Sequence, residues 1–179
     1  MEDSIFKLTL KRDSVSSEFL QGLGKFKTPE DLVPVVRELT KDEPQEVCLA
    51  FYFIGGDTLV GYSELARGGF EWVSWDAKML FATALLCGAT SVVMAHNHPS
   101  GNARPSRIDV KGMKKLVPAG ALLGIRVWDH IVVSRDQHVS MAEFGLLPPT
   151  AELIKEAEKE REKELDDLAL DAAEKGKDG

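Results

Sequence analysis

The chain is organised around HNHPSGNARPSRID, residues 96–109, between an apolar run at 91–95 and a helix-like run opening near Ser106. In a strand, alternate side chains share a face, so His96 and His98 point to the same side. A loop containing Pro and Gly can then fold the chain back and bring Asp109 into the first turn of the next helix. Two imidazoles and one carboxylate are a three-ligand set of the kind that leaves a catalytic zinc its fourth position for water. Each part also has a plainer reading. The histidines could be loop imidazoles bonded to backbone, and Ser106 with Asp109 resembles a helix-capping pair. Those plainer readings must hold independently at a spacing that also suits a metal.

Zinc would lower the pKa of bound water to about 7 and polarise a carbonyl. A hydrolase built on it needs a base for the water's proton and a donor for the developing oxyanion. Two upstream carboxylates compete for the first role. Glu64, in Tyr62-Ser63-Glu64-Leu65, lies where alternation can leave it on an exposed strand face. Glu46 stands at the mouth of a strongly apolar strand, where a charge is costly unless it is used or solvated. The residues alone do not choose between them. Asn97 faces away from the histidines by the same alternation and reads as loop structure.

His-x-His followed after ten residues by Asp, with Ser three before it, resembles the zinc motif of JAMM (MPN-plus) metallopeptidases. The wording HNHPSG…PS..D resembles the RadC-type branch, and the likeness extends through LLGIRVWDHIVVS to VSMAEFGLL, covering residues 28–147. The resemblance implies a zinc metallopeptidase-type hydrolase of peptide or isopeptide bonds, with His96, His98 and Asp109 on zinc. It also selects Glu46 as base, because these proteins carry their catalytic Glu at the start of the strand preceding the hairpin. Ser106 matches the motif serine that assists the water or oxyanion; its rival role is helix N-cap. Asp129-His130 is family-like too, and a structural hydrogen bond near the site is the reading adopted for it. The chain departs from the RadC-type pattern at Gly68-Gly69, where Gly-Thr is usual, and at Asp76-Ala77-Lys78-Met79, where His-Pro-Arg-Glu is usual. These departures bear on substrate contacts and not on the metal. Two other classes stay open: a DNA-repair-associated RadC-like protein binding nucleic acid, and a non-catalytic MPN scaffold.

The elements that must position these residues are legible around them. Residues 5–11 alternate as a half-buried strand, while Thr28-Pro29-Glu30-Asp31 reads as a helix start with Thr28 as N-cap. Residues 47–53 form a near-continuous apolar run, expected of a strand buried on both faces. Gly55-Gly56-Asp57 turns the chain into a second strand over 58–66. Ser74-Trp75-Asp76 can cap a helix that runs to Cys87 and stops at Gly88. Residues 106–123 read as a helix that Pro118 must kink or restart. Strands follow at 125–133 and near 138–141. The expected architecture is α/β or α+β, a central mixed sheet flanked by helices.

Length and charge bound the rest. An N-terminal extension (1–27), a core domain (28–147) and a charged tail (148–179), helical or flexible, are expected within the 179 residues. Residues 150–179 carry 11 acidic and 6 basic side chains, net −5, which leaves −2 of the total −7 for the remainder. No basic stripe large enough to announce nucleic-acid binding is visible. The tail's apolar face is sparse, so a solvated helix is favoured over a partner-binding one. Cys48 and Cys87 sit in apolar runs and read as buried thiols. No apolar run reaches the length of a bilayer crossing, and the N-terminus lacks a cationic lead into an apolar stretch, so a soluble, cytoplasmic location is expected. The expected partner is a peptide or protein-conjugate substrate.

Overall fold

The computed structural model describes residues 26–68 and 76–149. The readings made for residues 5–11, for Gly69, Ser74 and Trp75, and for the tail beyond Pro149 lie outside them. A 3-10 turn at Pro29–Leu32 leads into α1 (Val33–Thr40), followed by β1 (Glu46–Ile54), β2 (Thr58–Gly68), α2 (Ala77–Cys87) and β3 (Ser91–Asn97). Then come α3 (Arg107–Leu122), β4 (Arg126–Val133) and β5 (His138–Ser140). The strands form one five-stranded mixed sheet in the order β2-β1-β3-β4-β5, flanked by the three helices. β3 and β4 are parallel and joined through α3, while the other neighbours are antiparallel.

β1 is apolar throughout because both of its faces are covered. Cys48, Ala50 and Tyr52 pack with Leu80, Phe81, Met113 and Leu116 of α2 and α3. Val47, Leu49, Phe51 and Phe53 pack with Leu32, Val35 and Val36 on the α1 side. With seven consecutive buried positions, polar residues on either face would lie dehydrated. β2 and β5 are the edges; β2 mixes exposed and half-buried positions with none fully buried, and β5 has only three residues.

Helix ends follow the chemistry read from the sequence, with one exception. Asp76 caps α2 by accepting the Lys78 N–H, and Gly88 closes it in the left-handed region at φ +71°. At the first helix, the expected cap by Thr28 is replaced by Asp31. Its Oδ2 reaches back to the N–H groups of Lys27 (2.9 Å) and Thr28 (3.1 Å), and the opening turn is 3-10. α3 runs unbroken past Pro118. Its last turn lies so close to β4 that a Cβ on Gly120 would stand 2.4 Å from the Ile125 carbonyl oxygen. Cys48 is buried, whereas Cys87 is only partly so.

Candidate metal centre

Three elements converge at the C-terminal end of β3. His96 belongs to the strand, opposite Cys48 of β1, and is buried on the α3 side. His98 stands one step past the strand end, where its N–H still bonds the Val133 carbonyl (2.7 Å), so the β3–β4 ladder carries its backbone. Asp109 lies in the first turn of α3. The His96 and His98 Nε2 atoms are 2.9 Å apart, and His96 Nε2 is 3.7 Å from Asp109 Oδ2. The three candidate ligand atoms all lie within 4.8 Å of one another.

The donor set fits zinc. Nitrogens bound at about 2.0–2.1 Å in a tetrahedral site stand roughly 3.3 Å apart, so the imidazoles need to open by only a few tenths of an ångström. His98 Nδ1 bonds the Asn102 carbonyl oxygen (2.7 Å), which puts its proton on Nδ1 and leaves Nε2 as a lone pair facing His96. Burial first, then the neighbouring imidazoles, push the His96 pKa well below the ordinary histidine range, so this ring is neutral and able to ligate. Cys48 adds no ligand. Burial, and then the Asp109 and Glu46 charges, push its thiol upward and keep it protonated.

The plainer reading of Asp109 holds in the structure without disturbing the geometry that would suit a metal. Ser106 Oγ accepts the Asp109 N–H (3.1 Å), and Asp109 Oδ2 accepts the Ser106 N–H (2.6 Å), a reciprocal capping box. The cap fixes the carboxylate that faces His96. Because the Ser106 oxygen accepts in this pair, its own proton stays available to another acceptor.

Of the two competing carboxylates, the structure brings Glu46 alone to the centre. Its Oε1 is 3.7 Å from His98 Nε2. Burial raises the Glu46 pKa first; His98 opposes and Asp109 adds to the rise. Glu64 lies on the edge strand, with both carboxylate oxygens on the Arg67 guanidinium at 3.0 and 2.8 Å. Glu46 is in turn bracketed by Asn97. Val47 N–H donates to Asn97 Oδ1 (2.7 Å), and Asn97 Nδ2 donates to the Gln45 carbonyl (3.0 Å). Asn97 faces away from the histidines as alternation requires, yet it clamps the backbone on both sides of Glu46.

His130 makes the structural hydrogen bond near the site that was expected of Asp129-His130, and its partner, a candidate metal ligand, is what the sequence did not show. His130 is fully buried, with Nε2 2.7 Å from His96 Nδ1. A register shift explains its aim: Val92 pairs with Val127 but Val93 pairs with Asp129, so Trp128 is an extra residue in β4. Val127 packs on the α2/α3 side, whereas Ile131 and Val133 pack on the α1 side, which leaves His130 turned toward His96. Asp129 anchors this irregularity. Its carboxylate accepts the N–H groups of His130 (2.7 Å) and Ala142 (2.9 Å) and the Ser140 hydroxyl (2.6 Å).

The part of the chain that builds this centre has relatives among known proteins. A family model described as the RadC-like JAB domain matches residues 26–146. The chain belongs to the RadC-like JAB domain family. It is 38% identical over 138 residues to a UPF0758 protein of Bordetella avium, covering 77% of this chain and 61% of the relative. A UPF0758 protein of Polaromonas is 38% identical over 140 residues, covering 78% of this chain and 62% of the relative. One of Salinibacter ruber is 33% identical over 119 residues, covering 66% and 51%. The chain therefore spans between half and two thirds of the length of these relatives. Among the described residues, no helix is long and apolar enough to cross a membrane.

Proposed function

We propose that this RadC-like domain is a zinc-dependent hydrolase of peptide or isopeptide amides. The observation that carries the reading is the convergence of His96, His98 and Asp109, with Glu46 Oε1 3.7 Å from one of the imidazoles. His96, His98 and Asp109 would hold the metal, which supplies an acidified water and a polarised carbonyl when bound. Glu46, half-buried and with a raised proton affinity, accepts the proton of the attacking water and delivers it to the leaving nitrogen. Ser106 donates its free hydroxyl proton toward the oxygen of the tetrahedral carbon.

Elemental analysis of protein purified without added metal tests the site, together with His98→Ala and Asp109→Asn. Near-stoichiometric zinc in the parent and its loss in both variants is expected. A parent that takes up no zinc even after reconstitution would leave a scaffold of hydrolase shape and refute the proposal.

A further inference from the structure

Beside the candidate centre runs a cleft of about 700 Å³ that, Ser106 apart, the hydrolytic roles leave unused. Ser106 lines it together with Arg104, Arg107 and Val110 at the start of α3; Val139, Phe144 and Leu146 line it from β5 and the turn that follows. The cleft thus reaches the residue that caps the helix carrying Asp109. Phe144 is 68% exposed, an unusual placement for a large aromatic with no covering partner among the described residues. Arg104 and Arg107 are exposed, and neither guanidinium has an ion-pair partner among the described residues.

The charge of the segment that lines one side of the cleft runs against that of the chain, with Arg104 and Arg107 in the lining and the lysines further along α3. Arg104, Arg107, Lys111, Lys114 and Lys115 are all exposed, and the one acid between positions 104 and 115 is Asp109, turned inward to His96. Glu143, the neighbour in sequence of the lining residue Phe144, is exposed. The five cations fall within twelve residues of sequence, too few for a long stripe, and four of them lie on α3 within about 12 Å of helix. That length is short for tracking a nucleic-acid backbone, and a net charge of −7 opposes such binding. It suits two or three carboxylates on a peptide, with an apolar side chain between them for the Phe144 wall.

We infer that the cleft binds an acidic peptide segment with a large apolar residue, its carboxylates on Arg104 and Arg107 and its apolar side chain against Val110, Val139, Phe144 and Leu146. Planar guanidinium groups take carboxylates in two-point contacts, which gives this surface selectivity as well as charge. That the segment belongs to a substrate rests on the hydrolase reading; that the cleft binds it does not.

The test uses the full chain carrying Glu46→Gln, so that bound peptide is not cut. Three labelled probes are titrated: a peptide alternating aspartate and leucine, its lysine–leucine counterpart, and a single-stranded oligonucleotide of similar length. The acidic peptide should bind at least tenfold tighter than the basic one, weakening as salt rises. Arg104→Glu with Arg107→Glu should remove at least tenfold of that affinity, and Phe144→Ser several-fold, with circular dichroism and zinc content unchanged. Equal binding of the two peptides, or an unchanged affinity in the charge-reversed chain, would overturn the inference. An oligonucleotide bound more tightly than the acidic peptide would also overturn it and reassign the surface. The two proposals fail separately. Binding by the Glu46→Gln chain with no cleavage by the parent would sink the hydrolase, while cleavage without preference for acidic sequences would sink the cleft assignment.

Discussion

Replacing Asn97 by Ala should uncouple the proposed base from the proposed metal site, because Asn97 serves the strand that carries Glu46 while its neighbours are the proposed zinc ligands. Two bonds are lost. The Val47 N–H is buried and has Asn97 Oδ1 as its acceptor, so its orphaning costs about 1–3 kcal/mol. Gln45 is exposed, and its carbonyl can turn to water, so the second bond costs roughly 1 kcal/mol or less. The sum is about 1–4 kcal/mol, which for a domain of this size lowers Tm by roughly 3–20 °C. The activity loss should be larger than the stability loss implies. Both bonds flank Glu46, and a misplacement of about 1 Å can cost on the order of 100-fold in rate. Thermal denaturation of metal-free protein, zinc analysis and amide hydrolysis form the assay. Zinc should be retained while activity falls on the order of 100-fold. A Tm within about 2 °C of the parent would refute the hydrogen-bond argument. Loss of zinc at unchanged Tm would show that Asn97 supports the ligands and not the base.

Glu46→Gln should abolish hydrolysis by about 10²- to 10⁴-fold with zinc still bound. In metal-free protein the same change should stabilise the fold at neutral pH. The Glu46 pKa is raised on folding, so its contribution to stability is fully present below the unfolded value of about 4.3 and is lost as pH rises through the raised folded value. The variant's advantage should therefore vanish near pH 4, and a pH-independent Tm difference would refute this account. His130→Phe should keep the packing but remove the nitrogen that meets His96 Nδ1, lowering zinc affinity about 10- to 100-fold in a chelator competition. His130→Gln, which restores an acceptor, should recover part of it; equal affinity in the parent and the Phe variant would deny His130 any hold on the ligand. Zinc at about 100 times its Kd should stabilise the parent by about 2.7 kcal/mol, or roughly 8–13 °C in Tm, and should leave Asp109→Asn almost unmoved. A shift of equal size in that variant would place the metal elsewhere.

How much was legible depended on whether a feature is local. Strand parity placed His96 and His98 together, and the Ser106 capping pattern put Asp109 in the first helical turn, because each rests on the backbone geometry of a few consecutive residues. The doubly buried β1 was legible for a similar reason, since seven apolar residues in a row leave no face for water. The choice between Glu46 and Glu64 was not legible from the residues, because both stand in strands and only pairing across the sheet shows which one meets His98. The Asn97 clamp joins positions 50 apart, and parity gave the direction of the side chain without its partners. The aim of His130 at His96 was hidden by one extra residue. Without the irregularity at Trp128, alternation from Val127 would put Asp129 on the α3 side and turn His130 away from His96.

That irregularity also bears on how the centre is kept available. For His96 Nε2 to offer a lone pair, the proton must sit on Nδ1 and be donated to His130 Nε2, which forces the His130 proton onto its own Nδ1. That atom is buried and has no hydrogen-bond partner among the described residues. The ligating tautomer of His96 is thus held at the expense of an unsatisfied group one step further from the centre. An unsatisfied buried donor costs about 1–3 kcal/mol, which a fold selected only for stability would avoid by an apolar residue at position 130. Desolvation pushes the His130 pKa down, so the ring stays neutral and its one proton remains on Nδ1. The Asp129 carboxylate, tied to Ser140 and Ala142, fixes the backbone that keeps the ring in place against this cost. Buried polar strain of this kind belongs with a site that uses His96, and the His130→Phe comparison reads both sides of it. The variant should be more stable than the parent without metal and should bind zinc less tightly.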